Sequence, residues 1–224
     1  MQGFATYHNL ELRKLIGLAD CCELAARAFM FPDEQLAEAL ADGTILADSC
    51  SCMADAGLDD VVIARVKAEL RPLLGETPSR LCESLRREYS LMYLAPGAEV
   101  PVWPYESAFL HVKGGKKGAP ILFRSPVALD VEAQMRACGV RADNDRREPC
   151  DSVWNELSFL SFLYGSAARA LYDADDGALN DFLDAAGAFE ESHARQWFPA
   201  FFEETEKVSS NLEYGAHYAA FARL

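Results

Sequence analysis

Long apolar runs are absent from the sequence. No stretch among its 224 residues reaches the roughly 18 consecutive apolar residues that a membrane-spanning helix needs. The N-terminal segment, Met1 to Leu15, is polar and mixed in charge, and it lacks the basic, apolar and small-residue regions of a signal peptide. We therefore expect a cytoplasmic location without stable membrane insertion.

Motifs that would hold a metal or a nucleotide are also missing. The seven cysteines are odd in number and contain no C-x-x-C, which favours buried, reduced thiols over a disulfide framework or a zinc site. No two of the four histidines have the spacing of a helical metal site. The glycine- and lysine-rich run 113–120 lacks the spacing and the flanking strand of a phosphate-binding loop. The sequence therefore predicts no cofactor.

Positive charge is scarce. The chain has 21 Lys and Arg against 35 Asp and Glu, a net charge of −14, which argues against nucleic acid or an anionic membrane as a partner. Residues 113–147 carry 8 basic and 4 acidic side chains, whereas residues 148–224 carry 14 acidic and 4 basic ones. The last third of the chain would therefore attract a cationic ligand, although a long acidic face also serves solubility.

Strand patterns are nearly absent, and apolar residues recur instead at helical spacing. We predict an all-α fold of about ten helices in a single domain covering residues 1–224. Two lobes are possible within it, at 1–95 and 125–224, joined by an irregular segment at 96–124.

Capping residues mark the ends of the predicted helices. The first helix is expected to begin after Asn9 and to stop at Phe31-Pro32, and the last is expected to run from Val208 to Arg223. Further helices are expected to start at Asp33, Asp59-Asp60, Thr77-Pro78 and Ser125-Pro126, and a break is expected at Ala95-Pro96-Gly97.

The stretch Glu148–Leu157 joins a basic, turn-prone run to a long apolar helix. Asp151 is expected to be the N-cap of that helix, and Pro149 suits a position near its start. Glu148 adds a second carboxylate at the same place. On these residues alone, the simplest interpretation is a helix cap beside a solvated glutamate.

Large aromatic residues accompany these carboxylates, namely Trp103, Tyr105 and Trp154. A guanidinium stacks on such rings and forms paired hydrogen bonds with a carboxylate, so the set suits an arginine ligand. Core aromatics under a loop would give the same composition. His193 and Trp197 are four residues apart and are expected to pack together on one helix face.

Three stretches occur in order between about residues 80 and 205. They are Glu88-Tyr89 to Tyr93 with Pro96-Gly97 and Pro104–Phe109; Glu148–Ser152 with Glu156–Leu160; and Phe189, His193, Trp197, Pro199 and Phe201. The last two are similar to the patterns E-P-x-D-H-x-x-x-E-L-x-F-[LM] and F-x-x-x-H-x-x-x-W-x-P-x-F. In order and spacing, the three stretches resemble the TorD/DmsD-type family, the redox-enzyme maturation chaperones of molybdopterin oxidoreductases.

The resemblance implies a cytoplasmic, all-helical chaperone, not an enzyme, acting as a monomer or homodimer. Its partner would be the twin-arginine leader of the catalytic subunit of a molybdopterin (DMSO-reductase-type) oxidoreductase, whose cofactor insertion it would assist before export. The expected peptide-binding residues are Glu148, Pro149, Asp151, Ser152, Trp103, Tyr105, Trp154, Glu106 and His193. The family most often has His where this chain has Ser152, which puts half of the family's Asp-His pair in question.

Two other functions stay open on the sequence. One is an adaptor for the folded body of a non-exported molybdoenzyme. The other is a hydrolase that uses Glu148 and Asp151, although the sequence offers no positioned nucleophile or metal set.

Overall fold

The computed structural model describes residues 2–94, 100–141, 148–213 and 216–223. The helices in these ranges are α1 (Gln2–Phe29), α2 (Glu34–Ala41), α3 (Thr44–Ala56), α4 (Asp60–Leu70), α5 (Pro78–Tyr93), α6 (Glu106–Lys113), α7 (Pro126–Ala137), α8 (Val153–Tyr172), α9 (Asp176–Phe189), α10 (Arg195–Ser210) and α11 (His217–Ala222). The same residues form no strand, so the predicted all-α class is confirmed. None of these helices combines the length and the apolar character that crossing a membrane requires.

Most helices begin where the sequence places a capping residue. The Leu36 amide donates a 2.9 Å hydrogen bond to the carboxylate of Asp33, and the Ala128 amide donates one of 3.0 Å to the hydroxyl of Ser125. After α3, Gly57 adopts a left-handed conformation with φ 85°, which glycine tolerates at a helix C-terminus. Adjacent residues are therefore sufficient to define these helix ends.

The structure differs from the predicted helices in three places. Asn9 lies inside α1, because the few residues before it contain no proline and a cap preference amounts to only about 1 kcal/mol. The segment 96–124 contains α6. The last predicted helix is interrupted, since α10 ends at Ser210 and Ala216, with φ 53°, precedes the short α11. The expected break at Ala95-Pro96-Gly97 lies outside the described residues.

The main core draws on helices from both ends of the chain. Phe29 of α1, Leu85 of α5, and Trp197 and Phe201 of α10 belong to one buried cluster. The long helix α1 packs against α8 and against α3. At the α1–α3 contact, a Cβ atom on Gly17 would lie only 2.3 Å from a backbone nitrogen of α3, so the absence of a side chain permits the close approach.

A buried carboxylate holds the C-terminal helix in place. Glu88 of α5 is fully enclosed. It accepts hydrogen bonds from the backbone amides of His217 at 2.9 Å and Tyr218 at 3.0 Å, and from the hydroxyl of Ser209. Because α11 has no side-chain cap of its own, Glu88 satisfies amides that would otherwise be left unpaired at its start.

Candidate functional site

Residues 104–106 and 151–153 pair in antiparallel orientation, and we call this pairing the clip. Two backbone hydrogen bonds, of 2.9 and 2.8 Å, flank a bridge between Tyr105 and Ser152. The clip places the first turns of α6 and α8 side by side. It therefore brings together the first and second of the three family-like stretches, at Pro104–Phe109 and Glu148–Ser152.

Asp151 and Ser152 cap different helices. Ser152 is the N-cap of α8, because its hydroxyl accepts a 3.3 Å hydrogen bond from the Asn155 amide. Asp151 instead accepts a 3.0 Å hydrogen bond from the Ser107 amide in the first turn of α6. The prediction that Asp151 caps α8 is therefore wrong. Both residue types suit a cap, and the clip directs the aspartate to the neighbouring helix.

Glu148 lies at the partly exposed edge of the clip. Its Oε1 accepts a 2.6 Å hydrogen bond from the Tyr105 hydroxyl. Burial, and then the charge of Glu148, raise the pKa of the adjacent Tyr89. No ion pair involves Glu148 in the part of the chain that the structure describes. A carboxylate accepts up to about four hydrogen bonds, so Glu148 retains capacity for a cationic ligand.

The aromatic residues of the predicted site lie at different depths. Trp103 and Tyr105 are half-buried, whereas Trp154 and Pro149 are buried. The ring of Tyr105 meets that of Trp154 edge-on, with a centroid distance of 5.9 Å. Of the residues predicted for the site, Trp103, Tyr105 and Glu148 are therefore the partly exposed ones, and the buried Trp154 packs against Tyr105.

Beneath the clip, Glu106 and His193 form a buried pair. His193 belongs to a wide, π-type turn, Glu190–Ala194, between α9 and α10. Its Nδ1 lies 2.7 Å from Glu106 Oε2, and its Nε2 lies 2.9 Å from Asp130 Oδ2. Burial lowers the pKa of His193, but the two carboxylates outweigh burial, so the net pKa is raised.

Glu156 is a further buried carboxyl beside Glu106 and Asp151. Its Oε2 accepts a 2.9 Å hydrogen bond from the Trp197 indole. Its Oε1, like Oδ1 of Asp151, has no hydrogen-bond partner within the described ranges. Burial, and then the charge of Glu106, raise the pKa of Glu156 far above its ordinary value, and burial also raises that of Asp151. These shifts favour the protonated form of Glu156.

The sequence analysis placed neither Glu156 nor Asp130 among the site residues. Glu156 stands in the second of the three family-like stretches, so a signal was present, but its burial depends on the packing of α8 against α10. Asp130 belongs to no recognisable motif. It comes close to His193 only when the chain folds. His193 and Trp197, expected to pack on one helix face, are both buried, and the side chain of Trp197 is completely so.

A second feature lies on the N-terminal helices. An apolar pocket of about 320 Å³ opens between α1, α2 and α3, and Leu157 of α8 contributes to its wall. An adjoining cleft shares Leu24 and Cys52 with the pocket. Four acidic side chains line that cleft: Asp20, Glu23, Asp48 and Asp55. Burial, followed by the charges of its acidic neighbours, raises the pKa of Asp20.

The geometry weighs against the hydrolase alternative. Asp151 is 0% exposed and engaged at the start of α6, so it does not reach a substrate together with Glu148. Across the described ranges, no group of three or more His, Cys, Asp or Glu side chains is placed to hold a metal ion. The partly exposed surface instead suits the binding of a cationic, aromatic-stacking group.

Comparison with known proteins adds a family match. A family model described as "Nitrate reductase delta subunit" matches residues 59–203, which is more than half of the chain. The match includes both segments of the clip, the buried carboxyls and His193. No curated protein matches the chain.

Proposed function

The chain belongs to the nitrate reductase delta subunit family of molybdoenzyme assembly chaperones, and from this premise we propose that it binds the twin-arginine leader of a molybdoenzyme catalytic subunit. Binding would be reversible and would hold the subunit back from export while its cofactor is inserted. In this proposal the molybdoenzyme subunit is the binding partner, and the chaperone itself forms or breaks no covalent bond.

The observation that carries this proposal is the partly exposed carboxylate of Glu148. It accepts a hydrogen bond from the hydroxyl of the half-buried Tyr105, and the half-buried Trp103 precedes Tyr105 by two residues in the chain. A leader arginine can donate two hydrogen bonds to this carboxylate while its guanidinium plane lies against an aromatic ring. The acidic balance of residues 148–224 adds a field of the appropriate sign.

The buried residues act in this proposal by positioning Glu148 and Tyr105. Asp151 and Ser152 fix the clip through backbone pairing and the two helix caps. Beneath them, Glu106 and His193 link the clip to the turn between α9 and α10. Pro149 and Trp154 fill the space between these groups and the core.

The apolar pocket is suited to the stretch that follows the arginines in a leader. Its volume of about 320 Å³ is at the lower end of the range found for ligand pockets. Leu157 reaches its wall from α8 and follows the cap Ser152 by five residues, or roughly 8 Å along the helix axis. The acidic cleft beside the pocket complements basic residues that flank an apolar segment.

Co-expression of the chain with a molybdoenzyme catalytic subunit that carries a twin-arginine leader tests the proposal. Two forms of the subunit are compared, one with its leader and one from which the leader has been deleted. Capture that depends on the leader supports the proposal. Equal capture of both forms contradicts it and favours the adaptor for a folded enzyme body, while capture of neither excludes both functions for that subunit.

A further inference from the structure

Two cysteines from different helices face each other beside the apolar pocket. Cys21 of α1 and Cys52 of α3 form a thiol–thiol hydrogen bond with an Sγ–Sγ distance of 3.1 Å. Both are free thiols, and both line the pocket. The sequence predicts buried, reduced thiols and does not indicate this pair, because 30 intervening residues separate the two cysteines and no motif relates them.

The backbones at this crossing are close enough to be bridged. A Cβ atom on Gly17, one turn before Cys21, would lie 2.6 Å from the carbonyl oxygen of Cys52 and 2.3 Å from the amide nitrogen of Ala56. A disulfide has an S–S distance of about 2.05 Å. The two sulfur atoms therefore need to approach by roughly 1 Å, which small side-chain rotations supply.

The two thiols differ in a way that suits sequential roles. Cys21 is partly exposed, whereas Cys52 is 5% exposed. The hydrogen bond between the two thiols lowers the pKa of Cys21, and the same contact, together with burial, raises the pKa of Cys52. The neighbouring Cys22 has no such partner, and burial raises its pKa to about 12. Since the thiolate is the nucleophile, Cys21 is the reactive member of the pair.

We propose that Cys21 and Cys52 are a modification site at which a low-molecular-weight disulfide, such as oxidised glutathione, introduces a reversible intramolecular disulfide. The Cys21 thiolate attacks one sulfur of the oxidant, forming a mixed disulfide and releasing one reduced thiol. Cys52 then loses its proton and attacks the Cys21 sulfur, which releases the second reduced thiol. The oxidant gains the two electrons that the cysteine pair loses, and excess dithiol reverses both steps.

The disulfide would join α1 to α3 at the wall of the apolar pocket. It closes the chain between residues 21 and 52, a segment that contains all of α2. The cross-link restricts the unfolded chain and prevents the two helices from separating. This inference does not depend on the proposed function, because the chemistry belongs to the thiols alone.

Oxidised glutathione added to the full-length, reduced protein tests the site directly. We expect the intact mass to fall by two hydrogen atoms, with peptide mapping showing a Cys21–Cys52 link. The melting temperature should rise by roughly 5–15 °C, and a reducing agent should reverse both changes. A protein that forms no link, or that links other cysteines instead, overturns the proposal.

Single substitutions separate the roles of the two thiols. Cys52→Ser should accumulate one stable glutathione adduct on Cys21, whereas Cys21→Ser should leave Cys52 unmodified. Cys22→Ser is the matched control and should form the disulfide as the wild type does. Equal modification of Cys21 and Cys22 in the Cys52→Ser variant would contradict the assignment of Cys21 as the attacking thiol. The wild-type peptide map remains decisive if a variant folds poorly.

Discussion

Glu156 is a carboxyl that the fold keeps away from water, with only one oxygen hydrogen-bonded within the described ranges. Its raised pKa means that the folded state binds its proton more tightly than the unfolded state does. The resulting stabilisation is present below the unfolded pKa of about 4.3 and is lost as the pH rises through the folded value. At neutral pH and above, a carboxyl in this position costs stability when it ionises.

Replacing Glu156 by its neutral isostere should therefore be tolerated. Glu156→Gln retains an acceptor for the Trp197 indole and removes the ionisation. We expect its free energy of unfolding to equal or exceed that of the wild type, by a margin that grows with pH. Glu156→Ala, which leaves the indole unpaired and opens a cavity, should lose about 2–5 kcal/mol. Denaturant unfolding at several pH values measures both; a Gln variant as unstable as the Ala variant would contradict a protonated Glu156.

His193 should give a second pH signature. Its folded pKa is raised above the unfolded value of about 6.5. The stabilisation from its contacts with Glu106 and Asp130 is therefore fully present below that value and declines as the pH rises through the folded pKa. Relative to His193→Gln, the wild type should lose its advantage over the interval from about pH 6.5 up through the raised folded pKa of His193. A difference in unfolding free energy that stays constant or increases over that interval would contradict the ion-pair geometry.

At the scale of helices, the sequence best predicted the helix ends that are set by residues adjacent in the chain. Asp33 and Ser125 cap α2 and α7 within one turn, so composition and spacing were sufficient. The positions of α6 and α11 were not predicted correctly, because the first backbone amides of each helix bind a carboxylate that is distant in the sequence. Asp151 serves α6 and Glu88 serves α11, and such partners become neighbours only after folding.

The C-terminal helix should depend on Glu88. Glu88→Ala removes the acceptor of two amides at the start of α11 and of the Ser209 hydroxyl near the end of α10. Because each buried donor left unpaired costs about 1–3 kcal/mol, the variant should lose at least about 3 kcal/mol and expose α11 to hydrogen exchange. As a matched control, Glu83→Ala on the exposed face of the same helix should leave α11 protected. Unchanged exchange of the Tyr218 amide in Glu88→Ala would contradict the docking role.

At the scale of the whole molecule, the family-like stretches indicated the clip residues but not their depth. Glu148, Tyr105 and Asp151 look equivalent in the sequence, yet Asp151 is closed from solvent while Glu148 and Tyr105 are partly exposed. The pocket could not be predicted from the sequence, because its walls include residues of α1, α2, α3, α8, α10 and α11. The spacing of apolar residues does not show how helices cross.

Filling the pocket should weaken leader binding without disturbing the clip. Ala25 lines the pocket and is partly exposed, so Ala25→Phe occupies space that the apolar part of a leader would use. We expect roughly tenfold weaker binding, equivalent to about 1.4 kcal/mol. The matched control is Ala47→Phe on the exposed face of α3. If both variants bind a leader peptide as the wild type does, the apolar stretch binds elsewhere.

The central claim is that the Glu148 carboxylate receives a leader arginine. Calorimetric titration of a peptide with two adjacent arginines followed by an apolar stretch tests it most directly, using wild type, Glu148→Gln and, as a charge-matched control, the exposed Glu203→Gln. Melting temperatures verify that all three are folded. A lost hydrogen bond to a charged group is worth about 1.5–3 kcal/mol. We expect roughly 10- to 100-fold weaker binding for Glu148→Gln alone; wild-type affinity in that variant, at equal stability, would contradict the proposed role of Glu148.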